Sequence, residues 1–153
     1  MRFTAQEELG LRCMVQMATA ATADPPAGLT IAEIAGREGL TGHYVAKLMR
    51  LLRLAGLVTS IRGQRGGYRL ARPAAEISLA AVMAALGERF HTVEQCRREG
   101  RRSTCVHLEE CPIRPLWSGI DRVAQRLLER CSLVDLLAGE REVERRVARA
   151  FAE

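Results

Sequence analysis

Residues 30–70 read TIAEIAGREGLTGHYVAKLMRLLRLAGLVTSIRGQRGGYRL, and the order of signals in this stretch decides the fold. Thr30, followed three residues later by a glutamate, is typical of a helix N-terminus closed by a capping box. The short helix that begins there should end at Gly39, because glycine readily adopts the left-handed conformation found after helices. Thr41 is the predicted N-cap of a second helix, and Gly56 is its expected stop.

A β-hairpin is predicted directly after the second helix. Residues 57–62 are rich in β-branched side chains, residues 68–71 suit a second short strand, and the glycines of residues 63–67 suit the turn between them. Helix, glycine turn, helix and hairpin together indicate a winged helix-turn-helix. With the amphipathic helix predicted for residues 5–22, this DNA-binding domain should occupy residues 1–77.

The second half, residues 78–153, is predicted to be helical around one irregular segment. Ser78 caps a helix that should end at Gly87, whereas residues 91–112, here called the cysteine loop, lack apolar periodicity. In the helix predicted for residues 113–130, apolar residues recur at a spacing of three and four: Leu116, Trp117, Ile120, Val123, Ala124 and Leu127. This stripe favours a long dimerisation helix that packs against a second copy, the alternative being that it folds back onto its own core. C-terminal helices should follow, so the expected fold class is mainly α with a small β-hairpin wing.

The bulk composition restricts the class of protein. A chain of 153 residues with 48% hydrophobic content is long enough for one domain with an appended arm. No run approaches the roughly 20 apolar residues of a membrane span, and the N-terminus lacks the features of a signal peptide. We therefore expect a cytoplasmic protein, in which five reduced cysteines suit metal or redox chemistry better than disulfides.

The distribution of charge indicates nucleic-acid binding more clearly than the net charge does. The net charge of +5 is compatible with DNA, but an arginine bias with a single lysine also fits a GC-rich genome. No acidic residue occurs between Glu38 and Glu76. The basic residues in that interval are Lys47, Arg50, Arg53, Arg62, Arg65, Arg69 and Arg72. A segment of one sign this long predicts a surface that contacts phosphates.

The expected contacts with double-stranded DNA come from the second helix of the motif and from the wing. The N-terminal part of such a helix meets base edges in the major groove, and arginine at a glycine-rich wing suits the narrow minor groove. The candidate contacts are Thr41, His43, Tyr44, Lys47 and Arg50 in the helix, and Arg62 and Arg65 in the wing. A protein-interaction module is the alternative function for a winged helix.

Three cysteines lie close together in the cysteine loop: Cys96, Cys105 and Cys111. Thiolates hold zinc or iron–sulfur clusters, and both kinds of site require a fourth ligand. His107 could complete a zinc site, and an acidic residue from elsewhere could complete a cluster. A thiol–disulfide switch would need only two of the three cysteines. Cys13 and Cys131 occur in apolar helical settings and are interpreted as small core residues.

Several motifs occur together in this chain: MRFT at the start, GHYVAKL from Gly42, LAGLV from Leu54, RGQRGGY from Arg62, and the cysteine loop ending in Cys111 and a proline. Over residues 1–137 this combination resembles the Rrf2 family of bacterial regulators, which includes the IscR, NsrR, RirA and RsrR types. The resemblance implies a homodimer that places winged helices on DNA and pairs through a long helix. It also implies a 2Fe–2S or 4Fe–4S cluster held by the three cysteines.

The fourth ligand is the point at which the chain departs from part of that family. In the IscR type a histidine three positions after the last cysteine is a ligand, but Arg114 occupies that place, and arginine stays protonated. In the NsrR and RsrR types a carboxylate from the first helix of the other subunit is a ligand, and the matching residue here is Glu8. The resemblance therefore implies Glu8 from the partner subunit as fourth ligand, with His107 as second choice and Glu38 as third.

The sequence thus predicts a DNA-binding transcriptional regulator, expected to be a repressor, whose operator affinity is controlled by an iron–sulfur cluster at the dimer interface. Nitric oxide, oxygen, redox state and iron supply all stay open as the signal. The alternatives are a zinc-stapled or thiol-switch regulator without a cluster, and an iron–sulfur or interaction module that does not bind DNA. An enzyme is not expected, because the sequence lacks a nucleophile–base pair, a phosphate loop and an HExxH-like helix.

Overall fold

The structure, a computed structural model, describes residues 3–24, 27–63, 66–87 and 110–152. In chain order its elements are α1 (Ala5–Ala21), α2 (Ile31–Glu38), α3 (Gly42–Leu54), β1 (Val58–Ile61), β2 (Gly67–Leu70), α4 (Leu79–Leu86), α5 (Ile113–Arg130), α6 (Leu133–Leu137) and α7 (Glu140–Ala152). None of the helices in these described ranges has the length and hydropathy to cross a membrane. The helical fold with a two-stranded hairpin confirms the predicted fold class.

The boundaries of α2 and α3 follow from residues that satisfy the free backbone groups at helix ends. The Thr30 hydroxyl accepts from the backbone N–H of Glu33, and the Glu33 carboxylate accepts from the Thr30 N–H at 2.7 Å, so the predicted capping box is present. Gly39 ends α2 with a φ of 66°. Thr41 caps α3 by accepting from the Tyr44 N–H at 3.3 Å. A turn of two residues, 39 and 40, therefore joins the end of α2 to the N-cap of α3.

The wing is joined to the helices by an extended segment that the sequence did not predict. β1 and β2 pair antiparallel, with Val58 opposite Leu70. Leu29 forms an isolated antiparallel bridge with Tyr68 of β2, in which the Leu29 N–H donates to the Tyr68 carbonyl at 2.9 Å and the Tyr68 N–H donates to the Leu29 carbonyl at 2.8 Å. The segment just before α2 is thus bonded directly to the wing.

Replacing Gly67 with alanine is expected to weaken this attachment. A Cβ at Gly67 would lie 2.6 Å from the carbonyl oxygen of Leu29, so β2 or the Leu29 segment would have to shift. We expect the free energy of unfolding to fall by about 1–3 kcal/mol in urea denaturation. Gly36→Ala is the control: a Cβ there meets nothing within 4 Å, and alanine should stabilise α2 by up to about 1 kcal/mol. An unchanged midpoint for Gly67→Ala would contradict the close approach.

The hydrophobic core lies where α1, α3, α4 and β1 meet. Its largest fully buried side chains are aliphatic or methionine: Met14, Met17, Ile34, Leu48, Met49, Leu52, Leu57, Ile77, Leu86, Leu133, Val45 and Val58. Gly10 allows α4 to approach α1 closely, since a Cβ at Gly10 would lie 2.3 Å from Leu86 Cδ2. This packing places Gly87, which precedes the cysteine loop, beside the first turn of α1.

Helices α5 to α7 attach to the core through the end of α5. The Leu79 N–H donates to the Cys131 carbonyl at 2.8 Å, and Leu133 of α6 is fully buried. The predicted C-terminal helices are present. Arg146 of α7 forms an ion pair at 3.0 Å with the buried carboxylate of Asp135 in α6. That pair joins α7 to α6.

Candidate nucleic-acid interface and metal site

The first turns of α3 carry most of the predicted DNA contacts. His43, Lys47 and Arg50 are exposed, while the Thr41 hydroxyl caps the helix. Tyr44 is half-buried and packs against the core. The Lys47 Nζ lies 5.9 Å from the centroid of the Tyr44 ring, which is a cation–π distance. Tyr44 therefore supports the outward position of Lys47 as well as being a candidate contact itself.

The wing adds a further cation on the same domain. Arg62 is exposed directly after β1, and the other predicted wing contact, Arg65, lies outside the described residues. In the part of the chain that the structure describes, Lys47, Arg50 and Arg62 form no ion pair with a carboxylate. Cations that are exposed and not neutralised produce a positive potential that attracts a polyanion.

One of the three predicted cysteine ligands can be placed. Cys111 is a half-buried free thiol two residues before the start of α5. Cys96, Cys105 and His107 lie outside the described residues. Among the residues that are described, no group of three or more His, Cys, Asp or Glu side chains comes together.

The two remaining cysteines occupy the positions expected of packing residues. Cys13 is fully buried in α1, and burial raises the pKa of its thiol to about 11, with the nearby Glu38 carboxylate adding to the rise. Cys131 packs against the core, and burial, together with the charge of Asp135, raises the pKa of its thiol. Both thiols therefore stay protonated near neutral pH and are poor metal ligands as they stand.

The two carboxylates considered as fourth ligands differ in their surroundings. Glu8 is exposed on α1 and forms an ion pair with Arg12, one turn later, at 2.7 Å. A ligand donated to another subunit needs such an outward position. Glu38 is half-buried at the end of α2, where its carboxylate accepts from Gln16 Nε2 at 2.6 Å. Glu38 is thus already bonded within its own chain.

The start of α1 contacts the residues that lead into the cysteine loop, a contact that the sequence did not predict. Glu7 is buried, and its carboxylate accepts from the Thr4 N–H at 2.7 Å. A Cβ at Gly87 would lie 2.2 Å from Glu7 Oε1, and the Gln6 side-chain amide donates to the Leu86 carbonyl. The T-x-x-E spacing of residues 4–7 is a capping-box signal for the helix start, which was predicted at residue 5, but it does not indicate the contact with Gly87.

Helix α5 exposes an apolar stripe along most of its length. Four of the six predicted stripe residues, and Ile113 at the start of the helix, are 41% to 60% exposed: Ile113, Leu116, Trp117, Ile120 and Val123. The other two predicted members, Ala124 and Leu127, are half-buried. No residue of α5 is buried, although Leu128 near its end packs against the core. The stripe is therefore not folded back onto the core of its own chain. An apolar surface of this extent marks an interaction site.

Comparison with known proteins agrees with the arrangement of these elements. The Rrf2 family model, described as an iron-dependent transcriptional regulator, matches residues 3–139. The protein rrf2 of Nitratidesulfovibrio vulgaris is 34% identical over 137 residues, which cover 90% of this chain and 87% of the relative. The HTH-type transcriptional regulator IscR of Serratia proteamaculans is 30% identical over 137 residues, covering 90% of this chain and 79% of the relative.

A solved structure has a similar fold over most of the chain. CymR, the global cysteine regulator of B. subtilis, superposes with a TM-score of 0.68 at 28% identity, over 90% of this chain and 97% of CymR. Helix α7 begins at Glu140, just beyond the residues that the family model matches.

Proposed function

Because the chain belongs to the Rrf2 family of transcriptional regulators, we propose that it binds a pseudo-palindromic operator as a homodimer, and that an iron–sulfur cluster controls this binding. The observation that supports DNA binding is the set of exposed cations on α3 and the wing, none of which forms an ion pair with a carboxylate in the described part of the chain. A regulator of this kind works in the cytoplasm, and we expect it to repress its targets.

DNA recognition follows from the exposure of α3. Its N-terminal turns enter the major groove, where Lys47 donates to guanine or phosphate and His43 donates to a base edge or the backbone. Arg62 reaches the minor groove beside Gly63, whose φ of 111° is a conformation that suits glycine and a close approach to the DNA backbone.

Lys47→Ala and Arg62→Ala are each expected to weaken binding of the dimer to its operator about a hundredfold and to lower the slope of log affinity against log salt by about two, because each substitution removes one cation from each subunit. Both effects arise because each cation releases a counterion when it contacts the DNA. The measurement is fluorescence anisotropy at several salt concentrations, using a duplex selected from random sequences by the wild-type protein. Iron content should not change in either variant.

Arg122→Ala is the control for this pair, because Arg122 is exposed on α5 and lies outside the winged domain. Its loss should leave operator affinity within about twofold of wild type. Equal weakening by all three substitutions would point to general charge attraction, and unchanged affinity in both Lys47→Ala and Arg62→Ala would contradict the assigned interface.

The apolar stripe of α5 supports the homodimer. A second copy brings the same stripe, so a twofold axis through α5 would cover apolar surface with apolar surface in an isologous contact. Twofold symmetry would also place two copies of α3 against two half-sites, which we expect to be separated by about one helical turn of DNA, roughly 34–36 Å, or a multiple of it. The operator is therefore proposed to be pseudo-palindromic.

The proposed ligands are Cys96, Cys105 and Cys111 of one subunit and Glu8 of the partner subunit, with His107 as second choice. The described members fit this role, since Cys111 is a free thiol and Glu8 is an exposed carboxylate. When bound, the cluster supplies a redox-active iron centre whose carboxylate-held iron is the one most open to exchange, because oxygen is a harder donor than thiolate.

The position of Glu8 supports a route from the metal site to DNA. Glu8 lies on α1, and α1 packs directly against α3 in the core. Ligation of Glu8 would hold α1 of one subunit against the cysteine loop of the other. Loss of that ligand would free α1 and change the spacing of the two recognition helices, so that both could no longer fit their half-sites at once.

A thiol-switch regulator without a cluster is the second candidate function. The similarity to the oxidized form of Staphylococcus aureus CymR, which superposes with a TM-score of 0.65 at 26% identity over 87% of this chain and 93% of CymR, favours it. In this case two of the three loop cysteines would form a disulfide on oxidation, and no sulfide would be present. Zinc held by the three cysteines and His107 would likewise give a colourless protein. Both forms keep the same DNA interface.

A further inference from the structure

We propose that the hydrogen bond between Gln16 and Glu38 is a positioning contact that sets the recognition helix for operator binding. The inference rests on the DNA binding proposed above, and it gives Glu38 a positioning role in place of metal ligation. Gln16 Nε2 of α1 donates to Glu38 Oε1 of α2 at 2.6 Å, in a partly buried setting. A hydrogen bond to a charged acceptor is shorter, stronger and more demanding in geometry than a neutral one.

The location of Glu38 indicates that the contact is specific. Glu38 is the last residue of α2, where the negative end of the helix dipole opposes a carboxylate. It is nevertheless half-buried against α1, where it faces Gln16 and lies close enough to Cys13 to raise the pKa of that thiol. The Gln16 amide is thus the donor that meets this carboxylate across the packed surfaces of α1 and α2.

The contact lies close to the residues that would touch DNA. Gly39 and Leu40 are the two residues between Glu38 and Thr41, the N-cap of α3, and the Leu40 N–H donates to the Ala35 carbonyl at 2.9 Å. This short, bonded turn leaves α3 little freedom relative to Glu38. The aliphatic packing of α1 on α3 is not directional, whereas the Gln16–Glu38 hydrogen bond has a preferred distance and angle and so adds a directional contact between α1 and α2.

The same face of α1 carries the candidate metal ligand. Glu8, Arg12 and Gln16 follow one another at intervals of four residues, which places them on one side of the helix. Glu8 and Arg12 form an ion pair at 2.7 Å. The polar face of α1 therefore runs from Glu8 to Gln16, and Gln16 bonds to Glu38 of the helix-turn-helix. A rotation or shift of α1 caused at Glu8 would be passed to α2 through Gln16.

The test is a double-mutant cycle in the full-length protein. Gln16→Glu places two carboxylates against each other and is expected to weaken binding to the in vitro selected duplex about tenfold. The double variant Gln16→Glu/Glu38→Gln exchanges donor and acceptor, and it should return affinity to within about threefold of wild type. Gln125→Glu is the matched control, because Gln125 Nε2 donates to Glu129 Oε1 at 2.9 Å on α5, and the charge change is the same.

Binding to a scrambled duplex of equal length distinguishes lost positioning of the recognition helix from weaker charge attraction to DNA in general. Scrambled-duplex affinity in Gln16→Glu should fall no further than in Gln125→Glu, with a melting temperature near wild type. Loss of specific binding that the double variant restores supports the inference. A folded Gln16→Glu protein with wild-type specific affinity overturns it. If Gln16→Glu does not fold, the double variant decides, since a folded double variant with weak specific binding also overturns it. A wild-type protein that selects no duplex at all would instead overturn the proposed function.

Discussion

Cys111→Ser is expected to remove nearly all the iron and acid-labile sulfide from a protein that is otherwise brown when purified without oxygen. The hydroxyl of serine stays protonated at neutral pH and is a hard donor, so a site built from three thiolates would lose one of its strong ligands. Cys111 is also the proposed ligand next to α5, so its loss would detach the proposed metal site from that helix. The visible absorption spectrum and assays of iron and sulfide, made on wild type and variant side by side, measure the effect.

Cys131→Ser is the matched control for this substitution. Cys131 lies at the other end of α5, packs against the core, and has a thiol whose pKa is raised by burial. Its replacement should leave the iron and sulfide content unchanged and affect only stability. A colourless wild-type protein that contains zinc or no metal, or a Cys111→Ser variant as brown as wild type, would refute the cluster mechanism. The thiol-switch candidate would then be preferred, with the DNA interface unchanged.

The helix-turn-helix was predictable from the sequence because its signals are local. Thr30, Gly39 and Thr41 act on backbone groups within four residues of themselves, so their identity determines where helices begin and end. The exposure of Lys47 and Arg50 follows from the same periodicity, since the apolar positions of α3 define its buried face. For these reasons the bounds of α3 and the exposure of its candidate DNA contacts could be predicted from the sequence, whereas the contacts themselves stay a prediction.

Contacts between distant residues were not predictable in this way. Gln16 and Glu38 are separated by 22 positions, and Leu29 and Tyr68 meet only because the wing folds back beside α2. The residue types in these two pairs do not distinguish them from other polar or apolar pairs in the chain. Tertiary packing selects the partner, and the local sequence does not show it. The proposed fourth metal ligand is harder still to predict, since a carboxylate such as Glu8 that would serve another subunit has no local signal in its own chain.

Leu116→Asp is expected to convert a dimer into a monomer at micromolar concentration. Leu116 is 60% exposed and lies within the apolar stripe of α5. Covering one leucine contributes about 1.5–3 kcal/mol, and twofold symmetry makes each substitution act twice. Together with the desolvation of two carboxylates, this loss should raise the dimer dissociation constant by about a thousandfold or more. Sedimentation equilibrium over a range of concentrations measures the change.

Leu54→Asp is the matched control, because Leu54 is 65% exposed but lies at the end of α3, outside the stripe. It should remain dimeric, and a Leu116→Asp protein that also remains dimeric would show that the stripe is not the interface.

The Leu116→Asp monomer also tests how the two winged domains contribute to operator affinity. Its winged domain should still bind a single half-site, with a salt dependence about half as steep as that of the dimer on the full operator. Weak half-site binding with loss of full-operator binding would show that operator affinity comes from linking two winged helices. A signal that alters their spacing would then be sufficient to control transcription.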